Sequence, residues 1–493
     1  MRRVIASILI VLMVNPNAYS FCGFYVAKAD AKIFNKGSQV ILVRNGNKTT
    51  LTMSNDYQGD VKNFAMVVPV PVVLKETDVK IANQTLFDQL DAYSGPRLVE
   101  YYDENPCYDY RKYAEYDAIP ASMDRSESKK SESSKGHADY KVTIEAKYTV
   151  GEYDILVLSA KESTGLKSWL TDNGYKIPEN ANGVLDPYIK SNLKFFVVKV
   201  NMEKFKSTGY QSLRPLQISY ESAKFMLPIR LGMANSTGSQ DLIVYAFTKS
   251  GRIECTNYRT VKIPSNKNVP LDISSNFGKF YKSLFKRAYN NESKNGVFLE
   301  YAWNVSPTWG QVKCDPCVGP PPINSQLTEA GVDWMDGSVS NVFFTRLHVR
   351  YARDKFPQDL YFQVTPNTET FQARYVITHP ASGDFSCDKG QQYLRKLAGR
   401  RRSEVNELYA LTGWNVEKYK TYIYEYNKYL GKQDTDEVEE DGSYYVPGID
   451  NDDSNKDKMY LTVMLVSILS LTFLFNVKRR RNHQIIAVNK KEN

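Results

Sequence analysis

Two short patterns hold the side chains best suited to chemistry. Cys314-Asp315-Pro316-Cys317 has the C-x-x-C spacing of thiol–disulfide oxidoreductases, in which the first sulfur acts as an exposed thiolate of lowered pKa. Those enzymes set the pair between a strand and a helix N-terminus. Here Val318-Gly319-Pro320-Pro321-Pro322 follows, and three prolines do not start a long helix directly. A structural role is therefore the expected one, with the Cys314/Cys317 redox pair as the alternative. A zinc site would need a second pair of matching spacing, and none occurs, so no metal or cofactor is expected.

The second pattern is the strand-like run from Thr345 to Tyr351. Alternation puts Leu347, Val349 and Tyr351 on one face and Arg346, His348 and Arg350 on the other, with Arg353 close behind. Two guanidiniums flanking an imidazole make a candidate anion-binding site for a carboxylate or phosphate. The competing and preferred reading is a solvated strand face paired with carboxylates on its neighbours. A third group, Tyr101, Tyr102, Tyr108, Tyr110, Tyr113 and Tyr116, could form an adhesive surface for sugars or proteins. Half-buried packing around Cys107 is the plainer expectation.

Other chemistries find little support. Of four histidines, His137 falls in a polar linker and His483 in the C-terminal tail, leaving His348 and His379. No H-E-x-x-H, G-x-S-x-G, Walker A or G-x-G-x-x-G motif is present. Asp450, Asp452 and Asp453 lack the glycine and closing Glu of a calcium loop. Two distant carboxylates acting as a hydrolytic pair leave no local signature, so hydrolysis of envelope polymers stays as a weaker alternative.

The elements that must position these groups read as follows. Ser38 to Met53 predict a hairpin around Asn45-Gly46. Phe64 to Leu74 predict a strand at a sheet edge or strand end, because Pro69 and Pro71 cannot donate to a ladder. A short helix is expected over Thr85 to Ala92. Residues 121 to 138, rich in Ser, Lys and Glu, cannot bury enough apolar surface to fold. Strands follow at YKVTIEAKYTV and YDILVLSAK, a helix at Thr164 to Asp172, and strands at LKFFVVKVNM and QISY. Ser250-Gly251 suggests a second hairpin between DLIVYAFTK and RIECTNYRTVKI. Phe277 to Tyr289 predict an amphipathic helix. Further strands are expected at Gly296 to Trp303, Val342 to Tyr351, Leu360 to Val364 and Phe371 to Thr378. Helices then follow at Gln391 to Arg402, Ser403 to Thr412 and Val416 to Leu430. The last carries an apolar stripe of Val416, Tyr419, Ile423, Tyr426 and Leu430, expected to pack on the domain above it.

The chain ends predict export and anchoring. Arg2 and Arg3, the apolar run Val4 to Val14, and Ala18 and Ser20 before the cleavage point have the form of a secretory signal peptide. Phe21 before Cys22 is too large for a lipoprotein signal. Met459 to Val477 are uncharged and long enough to cross a bilayer as a helix. Lys478, Arg479, Arg480 and Arg481 follow and keep the tail cytoplasmic. These two ends account for most of the net charge of +9, so a nucleic-acid footprint is not expected. Six cysteines, Cys22, Cys107, Cys255, Cys314, Cys317 and Cys387, are candidates for disulfides in an exported chain.

Several dispersed segments are similar, in order, to one bacterial family. They include Cys22-Gly23-Phe24 with YVAKADAKIFNKGSQVILVR, LTMSNDYQGDVKNFAMVVPVP, LDPYIKSNLKFFVVKVN, LRPLQISYESAKFMLPIRLGMAN, KCDPC and FTRLHVRYARDKFPQDLYFQ. Over about residues 22 to 365 the chain resembles the exported proteins known only as domain of unknown function 2330. The resemblance implies a bacterial envelope protein with a signal peptide and often a C-terminal anchor. It implies no activity, cofactor or catalytic residue.

The expected fold class is α+β: a β-rich ectodomain, a helical membrane-proximal segment and one C-terminal transmembrane helix. The expected divisions are a signal peptide (1–20), an N-terminal β-rich part (21–118) and a linker (119–139). The main ectodomain (140–390), helical segment (391–431), acidic stalk (432–458), membrane helix (459–477) and basic tail (478–493) follow. The expected function is a non-enzymatic binding or structural role at the cell membrane, outside the cytoplasm. The expected partners are the membrane and an envelope protein or glycan, without nucleic acid.

Overall fold

The computed structural model describes residues 38–54, 65–108, 142–172, 182–208, 213–234, 239–306, 319–335 and 341–430. The expected signal peptide, linker, stalk, membrane helix and tail lie outside these residues, as do Cys22, Cys314 and Cys317. Among the described residues no helix is long and apolar enough to cross a membrane. The architecture is mixed α+β and rich in sheet. Two compact units are present: residues 1–383 with 411–413, and residues 384–410 with 414–493.

In chain order the first unit opens with β1 (Ser38–Asn45), β2 (Lys48–Met53), β3 (Ala65–Val70), β4 (Val79–Ile81), helix α1 (Gln84–Ser94) and β5 (Arg97–Tyr102). Next come β6 (Val142–Val150), β7 (Tyr153–Ala160), α2 (Ser163–Asp172), α3 (Asn182–Lys190), β8 (Lys194–Val200) and α4 (Met202–Thr208). After these lie β9 (Leu216–Glu221), β10 (Met226–Leu227), α5 (Arg230–Ala234), β11 (Gln240–Thr248), β12 (Ile253–Cys255), β13 (Thr260–Lys262) and β14 (Lys267–Asn268). The last are α6 (Ile273–Asn291), β15 (Val297–Asn304), α7 (Asn324–Ala330), β16 (Phe343–Tyr351), β17 (Leu360–Val364), β18 (Phe371–Gln372) and β19 (Arg374–His379).

The largest sheet runs β13-β15-β16-β11-β1-β2-β9-β4, with β18 added on β15. Its centre is the parallel pair β1–β11, flanked by antiparallel neighbours. The middles of these central strands, Val40–Val43 of β1 and Leu242–Phe247 of β11, are apolar because both faces are covered. Val40, Leu42, Leu242 and Val244 enter one core cluster, while Ile41, Val43, Ile243 and Tyr245 enter another. The first cluster is shared with the four-stranded sheet β3-β8-β7-β6 through Val68, Val157 and Phe196. The second is shared with α1 and α7 through Leu86, Phe87, Leu90 and Leu327. Helices α2 and α3 cover the far face of the four-stranded sheet through Leu166, Trp169 and Tyr188. The first unit is therefore layered helix, sheet, sheet, helix.

Local signals account for many of these elements. The β1–β2 turn leaves Gly46 and Asn47 between the paired Asn45 and Lys48. Gly46 has φ +58°, and a glycine with positive φ at the first central position is the type II′ pattern. β3 is an edge strand, which tolerates Pro69 without losing an inner ladder bond. Asn83 caps α1 by accepting from Thr85 N at 3.1 Å. The regular part of α6 begins at Phe277, because Asn276 has non-helical dihedrals (φ −126°, ψ 17°).

Three expectations are corrected. β11 and β12 do not form a hairpin: β11 pairs with β1 and β16, and β12 pairs with β17 in another sheet. The Ser250-Gly251 turn is a corner between sheets, where Arg252 N donates to Asn367 O and Thr248 Oγ1 to Gly251 O. In the second unit, the two helices expected across 391–412 are one 25-residue helix, α8 (Asp388–Thr412). Residues 416–430 are short turns around α9 (Lys420–Tyr424) rather than one helix. The Tyr422 carbonyl accepts from Arg401 Nη1 at 2.5 Å, and Arg401 lies over the Tyr422 and Tyr426 rings at 4.2 and 4.7 Å. That contact diverts a carbonyl from regular helix bonding. Of the expected stripe, Val416, Tyr419 and Ile423 are buried.

Candidate functional site

The three basic residues of β16 do share a face, but that face is not solvated. Arg346 and His348 are buried, and Arg350 is partly so. α1 and α6 lie over them. The side chains of α1 at Leu86, Phe87, Leu90 and Tyr93 pack on the sheet. The same buried side of α1 carries Asp91 and Ser94 toward Arg346. On α6, Phe277, Phe280, Tyr281, Leu284, Phe285, Ala288 and Tyr289 are buried, the spacing of a helix packed along one stripe.

Glu300 lies on this face at a β-bulge. In the β15–β16 ladder Leu299 pairs with Leu347 and Tyr301 with Arg346, leaving Glu300 as the added residue. Alternation from Phe298, the partner of His348, already places Glu300 on the side of Arg346 and His348; the bulge brings Tyr301 onto that side as well.

The result is a chain of alternating charge. Asp91 Oδ1 accepts from Arg346 Nη1 at 2.6 Å, and Glu300 Oε2 accepts from Arg346 Nε at 2.7 Å. Glu300 Oε1 is 2.8 Å from His348 Nδ1, and Asp241 Oδ1 is 3.1 Å from His348 Nε2. Asp241 then holds Arg350 in a two-toothed pair at 2.8 and 3.0 Å. Tyr245 donates to Asp91 at 2.9 Å and Tyr281 to Glu300 at 2.8 Å. Phe285 stacks on the imidazole at 3.8 Å between centroids, and Arg350 lies over the Phe285 ring at 5.0 Å.

The electrostatics follow from these contacts. Burial alone would lower the His348 pKa, but Glu300 and Asp241 outweigh it and hold the imidazolium above its ordinary value. Burial pushes Glu300 upward, yet His348 and Arg346 hold it below the usual carboxylate range. Asp241 is likewise held low by His348 and Arg350. At Asp91 burial prevails and raises the carboxyl in spite of Arg346. With both ring nitrogens facing carboxylates and one ring face covered, His348 is arranged to hold a proton. A general base needs a free nitrogen beside a substrate.

The other candidates are dispersed. Cys107 and Cys387 are disulfide-bonded, and Cys255 is a buried free thiol whose pKa burial raises. Tyr101, Tyr102 and Tyr108 are exposed, Tyr102 by 71%; Tyr110, Tyr113 and Tyr116 lie outside the described residues. Tyr102 stacks on its cross-strand partner His379 at 4.4 Å, and His379 Nε2 meets Glu100 Oε2 at 2.9 Å.

A feature without a sequence signal is a cavity of about 310 Å³. β1, β2, β11 and β16 form one wall, edge strand β3 another, and the β10–α5 segment a third. Among the described residues its lining includes Met53, Met66, Val68, Leu227, Leu231 and Leu242, and no Asp, Glu, Lys or Arg.

Comparisons with known proteins place these observations. A family model described as "Uncharacterized protein conserved in bacteria (DUF2330)" matches residues 16–363. No curated protein matches the chain. Among solved structures, a mutated baculovirus P35 after caspase cleavage is similar at 10% identity, covering 67% of this chain and 100% of that one, with TM-score 0.27. The caspase-8/P35 complex is similar at 11% identity, covering 69% and 98%, with TM-score 0.22. Likenesses this weak say nothing of the fold or partners of the chain.

Proposed function

The chain belongs to the bacterial family known as domain of unknown function 2330, and on that premise we propose an exported envelope protein, held at the membrane by one helix, whose folded part binds or supports rather than catalyses. The signal-like N-terminus and the uncharged run Met459 to Val477 with its basic flank support this topology. The folded part then faces the periplasm or the cell surface. The exposed edge with Tyr101 and Tyr102 offers contact to an envelope protein or glycan.

The observation that carries the non-catalytic reading is the closed charge chain from Asp91 to Arg350. Its three carboxylates and three cations pair with one another inside the fold. Such a set contributes rigidity and register rather than turnover. The C-x-x-C spacing supports a second reading, a thiol–disulfide protein using Cys314 and Cys317.

Two measurements test these readings. The full chain, tagged after Asn493, should sediment with bacterial membranes, and protease added to spheroplasts should leave only a small tagged fragment. Recovery in the soluble fraction would refute the anchor. In a glutathione titration, structural cysteines stay oxidised below about −300 mV, whereas a bond titrating near about −120 to −270 mV would favour the redox reading.

A further inference from the structure

The carboxyl ends of β5 and β19 carry an aromatic ring held in one orientation on an open surface. Tyr102 and His379 are partners in the parallel ladder, and their rings stack at 4.4 Å with 7° between the planes. Tyr102 is nevertheless 71% exposed. The imidazole on β19 covers one face of the ring. The other face looks away from β19, over the side of β5 where no further strand pairs among the described residues.

Glu100 precedes Tyr102 by two residues and shares its side of the strand. Its side chain is 44% exposed. Oε2 lies 2.9 Å from His379 Nε2 and accepts from Tyr102 OH at 3.5 Å. Among the described residues Oε1 accepts no hydrogen bond. The carboxylate therefore sits at the rim of the ring with one oxygen to spare.

These two groups ask for the same ligand property. The face of an aromatic ring attracts positive charge, and a carboxylate accepts hydrogen bonds but donates none. A cation that carries N–H groups satisfies both at once. An anion is repelled by Glu100, and an uncharged hydroxyl gains nothing from the charge of the ring face. Asp103 and Glu104 follow Tyr102 and add negative charge at the same strand end.

We propose that Tyr102 and Glu100 form a docking point for a lysine or arginine side chain of a partner protein, with its charge over the open ring face and its N–H groups on Glu100. The inference rests on the binding reading above and selects a basic protein segment over a glycan.

The test uses the full chain in detergent micelles and a blocked Gly-Lys-Gly peptide carrying a benzophenone. After irradiation, adducts are mapped by mass spectrometry. They are expected on peptides covering Arg97–Tyr102 or Arg374–His379. The lysine peptide should label these segments about five-fold more than the same peptide with uncharged norleucine, a difference of about 1 kcal/mol. Tyr102→Leu should remove that preference, and Tyr102→Phe, which keeps the ring, should retain it. Glu100→Gln should weaken it by about two-fold, as for an exposed ion pair. All three variants should keep the melting temperature of the unaltered chain, because both side chains are at the surface. Equal labelling by the lysine and norleucine peptides, or a lysine preference that survives Tyr102→Leu, would overturn the proposal. A benzophenone-labelled chitotriose serves as the glycan arm. If it labels these segments and the lysine peptide does not, the cation assignment falls and the binding reading stands. If neither probe labels them, both fall.

Discussion

The carboxylate of Glu300 lies 2.8 Å from His348 Nδ1, at the β15 bulge where Leu299 pairs with Leu347 and Tyr301 with Arg346. The same carboxylate takes Arg346 Nε through its other oxygen. One inserted residue thus joins two cations of the neighbouring strand.

Breaking this chain should cost stability. Arg346→Met leaves Asp91 and Glu300 buried with no guanidinium between them. It should destabilise the fold by about 3–5 kcal/mol, the usual cost of breaking a buried pair. Urea unfolding followed by circular dichroism reads this directly. A change below about 1 kcal/mol, as for an exposed pair, would mean that water reaches the site.

The network also sets a pH dependence. The folded pKa of His348 is raised, so its contribution is complete below the unfolded value of about 6.5 and is lost as pH rises through the higher folded value. Glu300 and Asp241 are lowered, so theirs is complete above about 4 and is lost as pH falls through their lower folded values. Stability should therefore fall on both sides of a mildly acidic maximum. In His348→Gln the alkaline decline should flatten. An unchanged profile in that variant would remove His348 as the origin.

Cys255 should be chemically silent. Burial raises its pKa, and its sulfur contacts Asn257 Oδ1 at 3.3 Å. Mass spectrometry after iodoacetamide treatment should find its peptide unmodified in the folded protein and alkylated in 6 M guanidinium chloride, a strongly denaturing concentration.

Gly251 should resist substitution. A β-carbon there would stand 2.5 Å from Thr365 O and 2.6 Å from Asn367 O, both backbone atoms. Gly251→Ala should cost about 1–3 kcal/mol through this overlap, seen as a lower unfolding midpoint. Gly183→Ala, whose β-carbon would meet nothing within 4 Å, is the matched control.

Local patterns made much of the fold legible. The hairpin of β1 and β2, the edge position of β3, helices α1 and α6, and the shared face of Arg346, His348 and Arg350 all follow from short-range periodicity and turn chemistry. The partners of that face do not. Asp91 is 255 residues from Arg346, and Asp241 is 107 from His348. Alternation along β15 puts Glu300 on this face with Phe298, but the bulge that adds Tyr301 beside it has no local signal. The Ser250-Gly251 turn shows the same limit: two strands joined by a tight turn need not pair, since the longer ladders with β1 and β16 take β11 instead. The cavity arises where an edge strand meets a larger sheet, a relation that no single segment encodes.

The parallel pairing of β1 with β11 sets an order of events during synthesis. The contact between Gln39 and Tyr245 spans 206 residues. At ordinary elongation rates of roughly 5–20 residues per second, β1 waits about 10–40 s for its inner neighbour. Meanwhile the β1–β2 hairpin can close locally, with one apolar edge, Val40-Ile41-Leu42-Val43, unpaired. Such an edge invites pairing with other chains, and long-range ladders close slowly. A holding chaperone bound to the emerging chain would shelter that edge until β11 arrives.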